Sequence, residues 1–510
     1  MDLDLGICRD LHTFNGNQAK CIYIKTNFLE CQSTGYINYL QLFYCNSNQT
    51  NLQSYILFFL WLLLLFYLLG DTASTYFCSS LKGLSKTLNL SPTVAGVTLL
   101  SLGNGAPDVF ASIVSFIGDD AGANEVGINS ILGGAFFVST AVVGIICISI
   151  GKNQVSINRN GFIRDVLSLM FCLSCLATIV FVGKLNLFVA VGFLFMYTLY
   201  VFLVSASEFC DGGGGRKKLV LPVTTHLETP LLLPANSVSD EKSSTGGENK
   251  KWVMILTRFI MLPIDLPRRL TIPNVNEENW SKPFAVISVG LSPVFLGLIW
   301  IIPNEENPNP TPLLYLAAAG VMTGSVAFFT TNRSKPPAPE KRVLIPWLVS
   351  GFVMSIVWSY LLAEELVSLL LSLGLIIGIS PSILGLTVLA WGNSLGDIVA
   401  NLTMARNDGV SGAQIAITGC FCGPIFNTLV GLGLSFSVAC WKTYPLRYQI
   451  PTAMDYDVYE TMGFMAVSLV WSLVVLPMTG MKLGRVYGGG LLVVYLCFLS
   501  LKIVRVVGLI

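Results

Sequence analysis

The sequence predicts an all-α polytopic membrane protein of about twelve transmembrane helices, built as two inverted repeats with broken helices. Three observations carry that expectation. Of 510 residues, 53% are hydrophobic and 12% charged, with mean hydropathy +0.68, whereas a soluble chain carries about 25% charged residues. Apolar runs repeatedly reach the roughly 20 residues that cross a bilayer. Finally, "GNGAPD" at 103–108 returns as "GNSLGD" at 392–397, each setting an Asp among glycines inside an apolar run.

The same composition excludes several functions. The two histidines, His12 and His226, lie outside the apolar runs, which removes the usual imidazole ligands for zinc, copper or nickel. "DGGGGRKK" at 211–218 is not a GxxxxGK[ST] phosphate loop, and none occurs elsewhere. A net charge of +1 without a basic stripe gives no reason to expect a nucleic-acid partner. Neither enzymatic chemistry nor a resident cofactor is expected.

Residues 1–51 form a polar segment carrying Cys8, Cys21, Cys31 and Cys45. An even count there points to two disulfides in an oxidising compartment, without fixing their pairing; free cytosolic thiols are the alternative. "MDLDLGICRD" at the start shows no cleavable signal, and its acids argue against an Arg-rich transit peptide, so the mitochondrial inner membrane is not expected. The sequon Asn48-Gln49-Thr50 lies so close to the first span that glycosylation is not expected.

Spans are expected near 52–70, 88–118, 125–149, 162–183, 185–206, 283–302, 312–330, 344–373, 380–406, 413–437, 462–478 and 484–507. With the cysteine-bearing N-terminus outside, the loops "GKNQVSINRNGFIRD", "TTNRSKPPAPEKR" and "TGMKLGRVYG" fall on the cytosolic side, and all are basic. "GDDAGANE", "IPNEENPNP" and "YDVYE" fall outside, and all are acidic. Cysteines and charges thus favour one topology, with the N-terminus extracytosolic and the C-terminus on the same side.

The stretch 207–282 reads as a cytosolic linker. Its first part, 207–251, is polar and rich in Gly, Ser, Thr and Lys. "ETPLLL" at 228–233 matches an acidic-dileucine sorting pattern, although leucines packing on the membrane face explain it as well. "WVMILTRFIMLP" at 252–263 is too short to span and carries Arg258, with Arg268 and Arg269 following; it suits an amphipathic helix in the interface.

A shift of 289 residues lays "SPTVAGVTLLSLGNGAPDVFA" (91–111) on "SPSILGLTVLAWGNSLGDIVA" (380–400), with nine of 21 positions identical. The identities include Ser-Pro, Gly-Asn and Asp, which shared hydrophobicity alone would not align. On the topology above the first copy is the second span, running outward, and the second copy is the ninth, running inward. Antiparallel repeats with Gly- or Pro-interrupted helices point to a transporter's central site. Gly103, Gly105 and Pro107 would loosen backbone in one copy, Gly392 and Gly396 in the other.

A carboxylate at the bilayer centre costs on the order of 3 kcal/mol and needs a partner. Neither copy holds a Lys or Arg beside its Asp, so the simplest partner is a mobile cation or proton. Asp108 and Asp397 supply charged oxygens, Asn104 and Asn393 amide oxygens, and Ser394 a hydroxyl. Such a site suits Ca²⁺, Na⁺, K⁺ or H⁺. Two carboxylates neutralise one divalent ion or two monovalent ones, which is the logic of exchange. Helix capping at short re-entrant turns is the plain alternative for either hexapeptide by itself.

These hexapeptides, within longer matches at 91–140 and 380–433, resemble the cation/calcium exchanger family. It is a branch of the calcium/cation antiporter superfamily that also holds the mitochondrial sodium/calcium/lithium exchanger. The N-terminal cysteines and "AEE" at 363–365 also look like it, and the organisation looks most like plant members. The resemblance implies a sodium/calcium exchanger-like fold of two inverted five-helix repeats, with cation sites between spans two, three, seven and eight of a ten-span core. It implies exchange of Ca²⁺, K⁺, Na⁺ or Mn²⁺, often against H⁺, in an endomembrane (vacuole or endoplasmic reticulum) or the plasma membrane. Carried onto this chain, Asp108 and Asp397 are the core acids, Asn104, Asn393 and Ser394 are ligands, and Ser101 and Ala390 offer backbone carbonyls. The first repeat would occupy 52–206 with its motif at 88–140, and the second 344–507 with its motif at 377–433; the pair at 283–330 lies outside the core.

The chain departs from that pattern in several places. Its acids are Asp where sodium/calcium exchangers have Glu. The positions 27 residues after each acid, expected to be Asn or Asp, are Ala135 and Pro424. Asn427, one turn further, is a substitute ligand or a packing residue of "GPIFNT". Glu364 and Glu365 in the 344–373 span are gating, proton-linked or interfacial residues. Two other readings compete. An intramembrane aspartyl protease would explain paired acids, "SLGD" being one residue from GxGD, but its two carboxylates must share one proton. A cation channel could line its pore with the same acids.

Overall fold

The computed structural model describes residues 11, 14, 16–26, 35–45, 51–80, 83, 101–117, 123–150, 155–211, 265–274, 280–301, 311–331, 341–407, 409–450 and 456–506. In chain order its helices are α1 (Asn17–Thr26), α2 (Tyr39–Cys45), α3 (Asn51–Asp71), α4 (Ser101–Ile117), α5 (Ala123–Ile150), α6 (Arg159–Val182) and α7 (Leu187–Asp211). They continue with α8 (Lys282–Ile301), α9 (Thr311–Thr330), α10 (Lys341–Ile377), α11 (Pro381–Asn393) and α12 (Leu395–Asn407). The third membrane-length helix of the second half, α13, runs from Gly409–Phe426 through Asn427–Leu432 into Gly433–Thr443; α14 (Tyr456–Met478) and α15 (Arg485–Val506) follow. Two short strands, β1 (Lys184–Leu185) and β2 (Tyr448–Gln449), pair antiparallel.

Ten described helices are long and apolar enough to cross a bilayer, and α11 with α12 forms an eleventh span bent by 43°. The expected second span appears as the shorter α4, because 84–100 lies outside the described residues. Helices dominate for a physical reason: in hydrocarbon each backbone N–H and C=O must be satisfied within its own segment. The protein is an integral membrane protein.

The chain divides into two compact units, one of 1–70, 92–227 and 360–510, the other of 71–91 and 228–359. In the first, the two halves pack reciprocally. Helix α4 packs on α13 and α5 on α11; α6 packs on α13 and α14 on α5; α7 packs on α13 and α15 on α5. Each contact thus has its mate with the halves exchanged. The loops give the direction. Ser156, between α5 and α6, bridges to Lys482, between α14 and α15. Lys184, between α6 and α7, pairs with Gln449, between α13 and α14. One half's third-to-fourth loop therefore meets the other half's fourth-to-fifth loop at both ends, which requires the halves to be inverted. The bridge at Ser156 is reinforced by Ile157 N–H to Met481 O at 3.1 Å and Leu483 N–H to Val155 O at 2.9 Å.

Local chemistry ends the helices where these loops need them to end. Asn158 caps α6 by accepting from Asn160 N–H at 3.0 Å. Gly183, at φ 67°, closes it in the left-handed region that glycine adopts without cost. Helices α5, α10 and α13 are the most buried of the long helices, at 83%, 78% and 72%. Between halves, serine and threonine hydroxyls tie the helices: Ser112 to Ser435 at 2.9 Å and Thr140 to Ser468 at 3.0 Å. Asp457 and Glu460, counted above in an acidic outer loop, lie at the start of α14 and pair with Lys502 and Arg505 of α15.

The N-terminal segment docks in the same unit. A Cys21–Cys45 disulfide joins α1 to α2; Cys8 and Cys31 lie outside the described residues. Glu365 of α10 accepts from Tyr36 N–H at 2.8 Å and from Tyr39 Oη at 2.5 Å. Burial and that carboxylate raise the Tyr39 phenol above its ordinary 10.0, so it remains a donor at neutral pH. In the second unit, α8 and α9 form the additional pair, with Gly320 so close to Gly290 that a Cβ there would lie 2.2 Å from its carbonyl oxygen. Arg268, which follows the expected interfacial segment in the sequence, is buried at 1% exposure and pairs with Asp71 at 2.9 Å. The segments 212–264 and Asn48-Gln49-Thr50 lie outside the described residues.

Candidate cation site

The duplicated hexapeptides sit on α4 and on the α11–α12 junction. In α4, Pro107 lies inside the helix; lacking an N–H, it leaves the carbonyl of Gly103 without its usual donor. In the second copy Ser394 leaves helical geometry at φ −90° and ψ 4°, between Gly392 and Gly396, and the chain bends there. Ser380 caps α11, accepting from Ile383 N–H at 3.4 Å ahead of Pro381. That is the local role of the repeated Ser-Pro in this copy.

Asp108 is buried at 2% exposure. Its Oδ1 accepts from Asn393 Nδ2 at 2.9 Å and its Oδ2 from Asn427 Nδ2 at 2.7 Å. Both donors belong to the opposite half. Each amide spends its nitrogen on Asp108, and Asn393 Oδ1, Asn427 Oδ1 and Ser394 Oγ are left buried without a hydrogen-bond partner. An orphaned buried acceptor costs about 1–3 kcal/mol. Three of them beside a carboxylate are unfavourable for a protein alone and suited to a cation, which needs acceptors and no donors.

Two glycines make the room. A Cβ on Gly134 of α5 would lie 3.3 Å from Asp108 Oδ2 and 3.5 Å from Ser394 Oγ. A Cβ on Gly105 would lie 1.9 Å from Asn427 Oδ1, so only glycine lets Asn427 reach Asp108. Asp397, in the first turn of α12 and 8% exposed, is close enough for its charge to act on Asp108. Among the described residues no lysine or arginine forms an ion pair with Asp108.

The other expected residues fall as follows. Asn393 and Ser394 are buried beside Asp108. Ser101 lies in α4 and is buried, and the carbonyl of Ala390 accepts from Ser394 N–H at 3.2 Å. Asn104 lies in α4, but its side chain is outside the described residues. Glu365 is engaged by Tyr36 and Tyr39 of the N-terminal segment. Asn427, left open between ligand and packing, is a direct partner of Asp108. It begins a π turn, Asn427–Leu432, and α5 has its own π turn at Phe137–Val142. The 289-residue shift carries Phe137 onto Phe426, so the two turns start within one residue of the same place. Such widened turns recur at functional sites.

Comparison with known proteins finds a matching family and several relatives. The model of the family described as sodium/calcium exchanger protein matches residues 58–206 and 347–504. Cation/calcium exchangers 1 and 2 of Arabidopsis thaliana are 46% and 47% identical, each over 98% of this chain and over 89% and 91% of their own. The human mitochondrial sodium/calcium exchanger protein is 32% identical over 99% of this chain and 90% of its own. Among solved structures, the H⁺/Ca²⁺ exchanger CAX aligns over 96% of this chain and 88% of its own, at 12% identity and a TM-score of 0.47. The chain therefore belongs to the sodium/calcium exchanger protein family.

Proposed function

We propose that this protein is a secondary active cation antiporter that exchanges Ca²⁺ with a monovalent cation or H⁺ by alternating access. The cations are its cargo. Asp108 and Asp397 supply the charge, and Asn393, Ser394 and Asn427 supply neutral oxygens, with Asn104, Ser101 and Ala390 completing the set. The observation that carries this reading is the Asp108 carboxylate, held by amides from the other half among three orphaned oxygens. A cation entering there meets groups of both halves, so its binding is coupled to how the halves sit, as alternating access requires. Burial of Asp108 favours an occluded site over an open pore lined by the same acid.

The N-terminus and its disulfide are assigned to the extracytosolic side, consistent with the basic loops at Ser156 and Lys482 meeting at one face. An endomembrane or the plasma membrane fits an oxidising lumen or exterior. The test is Ca²⁺ uptake into liposomes carrying the purified protein under imposed Na⁺, K⁺ or H⁺ gradients. Asp108→Asn or Asp397→Asn is expected to abolish uptake while leaving the protein folded. Normal uptake by the double variant would refute the assignment.

A further inference from the structure

The N-terminal segment touches the first helix of each half, a contact to which the antiport reading gives no role. Tyr39 of α2 donates to Glu365 Oε1 of α10 at 2.5 Å and accepts from Trp61 Nε1 of α3 at 2.8 Å. One buried phenol, at 1% exposure, therefore joins α3 to α10. Tyr36 N–H fills the other oxygen of Glu365 at 2.8 Å. Beside it the chain lies directly on α10: a Cβ on Gly35 would sit 2.5 Å from Ser368 Oγ, and Ser368 is fully buried. Rings seat α2 on α3, with Tyr39 to Phe58 at 5.6 Å and Phe43 to Tyr55 at 5.1 Å between centres. The Cys21–Cys45 disulfide fixes the end of α2 to α1. Both oxygens of one carboxylate are thus filled from a single segment, by charge-assisted bonds roughly twice as strong as neutral ones.

The same α3 reaches the cation site. Phe66 lies one to two turns beyond Trp61, about 7.5 Å along the helix. Its ring rests on Gly392, where a Cβ would lie 2.2 Å from it, and Gly392 directly precedes Asn393 and Ser394. We propose that Tyr36, Tyr39 and Glu365 form an extracytosolic clasp. These positioning residues tie α3 to α10 and, while fastened, keep the Asp108 site closed toward the extracytosolic side. This rests on the antiport reading above and on the side assigned there to the N-terminus. In this structure the clasp is fastened and Asp108 is occluded, at 2% exposure. Alternating access moves parts of the two halves against each other, so a tie between their first helices must part at one stage of the cycle. Hydrogen bonds suit such a tie. When it opens they exchange for bonds to water at a modest net cost, so the clasp biases the closed state without locking it.

The experiment reads the Ca²⁺ KM at each face, using the full chain in sealed membrane vesicles of either orientation. Glu365→Gln keeps the size of the side chain but offers one acceptor oxygen to two donors. It is expected to lower the extracytosolic KM relative to the cytosolic one by about tenfold, as the open state gains population. KM unchanged at both faces, with only the maximal rate reduced, would make Glu365 a structural residue and overturn the clasp. A shift in the opposite sense overturns it too. Should Glu365→Gln fail to fold, Tyr39→Phe removes one donor and is read in the same way. A second measurement needs no transport. Ser368→Cys, covered by Gly35, is exposed to an impermeant maleimide on the extracytosolic side. Its labelling is expected to quicken about tenfold when Glu365→Gln is added. Ca²⁺ is expected to change the rate as well, through reciprocal coupling with the site, and Asp108→Asn to remove that change. A rate indifferent to Glu365→Gln or to Ca²⁺ overturns the proposal. Wild-type protein that exchanges nothing would defeat the antiport reading instead, and the labelling still decides the clasp.

Discussion

At Asp108, two amides from the opposite half hold the two carboxylate oxygens, at 2.9 and 2.7 Å. The geometry depends on Gly105 having no side chain. Gly105→Ala would drive a methyl onto Asn427 Oδ1 and break the Asn427–Asp108 bond. Exchange is expected to fall at least about tenfold, the equivalent of 1.4 kcal/mol, with the protein still folded by its melting curve; unchanged exchange would show that Asn427 does not matter. These residues were unequally legible. Asp108, Asp397, Asn393 and Ser394 stand out because a duplication repeats or aligns them. Asn427 has no such echo, since the same shift brings Val138 onto it. A hydropathy pattern cannot show whether a buried amide has a partner.

Among the elements, the long helices follow from apolar length, but the first runs on to Ser80, α13 on to Thr443 and α14 starts already at Tyr456, each six to ten residues beyond its expected bound. The break at Ser394 falls between the glycines that predicted it, while α4 continues through Pro107. The π turns of α5 and α13 left no trace in composition, because they are shifts of hydrogen-bond register and need no particular residue. Close backbone contacts are equally silent, although they fix the site. Gly133 is the tightest of them beside the site, against the carbonyl of Leu386. Gly133→Ala must push α11 away, at a cost of about 1–3 kcal/mol, which should appear as a lowered melting temperature. At the N-terminal segment, Tyr39→Phe leaves Glu365 Oε1 without its donor and is expected to cost about 1–3 kcal/mol. A melting temperature equal to wild type would place Glu365 in contact with water instead.

For the whole molecule, the inverted relation of the halves was legible in two short motifs and the signs of loop charges, and the β pairings give it independently. It makes a prediction that needs no assumption about ions. Single cysteines replacing Ser156 and Lys482 should be labelled by an impermeant reagent from one side of sealed vesicles. Cysteines replacing Lys184 and Gln449 should be labelled only from the other. All four positions are exposed. Labelling of Ser156→Cys and Lys184→Cys from the same side would contradict the topology.

The central claim is that cations cross in exchange for one another at Asp108. The direct measurement is ⁴⁵Ca²⁺ movement into sealed liposomes bearing the protein, with the membrane potential clamped and the interior loaded in turn with Na⁺, K⁺, acid or choline. Saturable uptake that requires one of the internal counter-ions, and disappears in Asp108→Asn, is the predicted result. Uptake that proceeds equally with choline inside, or persists in Asp108→Asn, would contradict it.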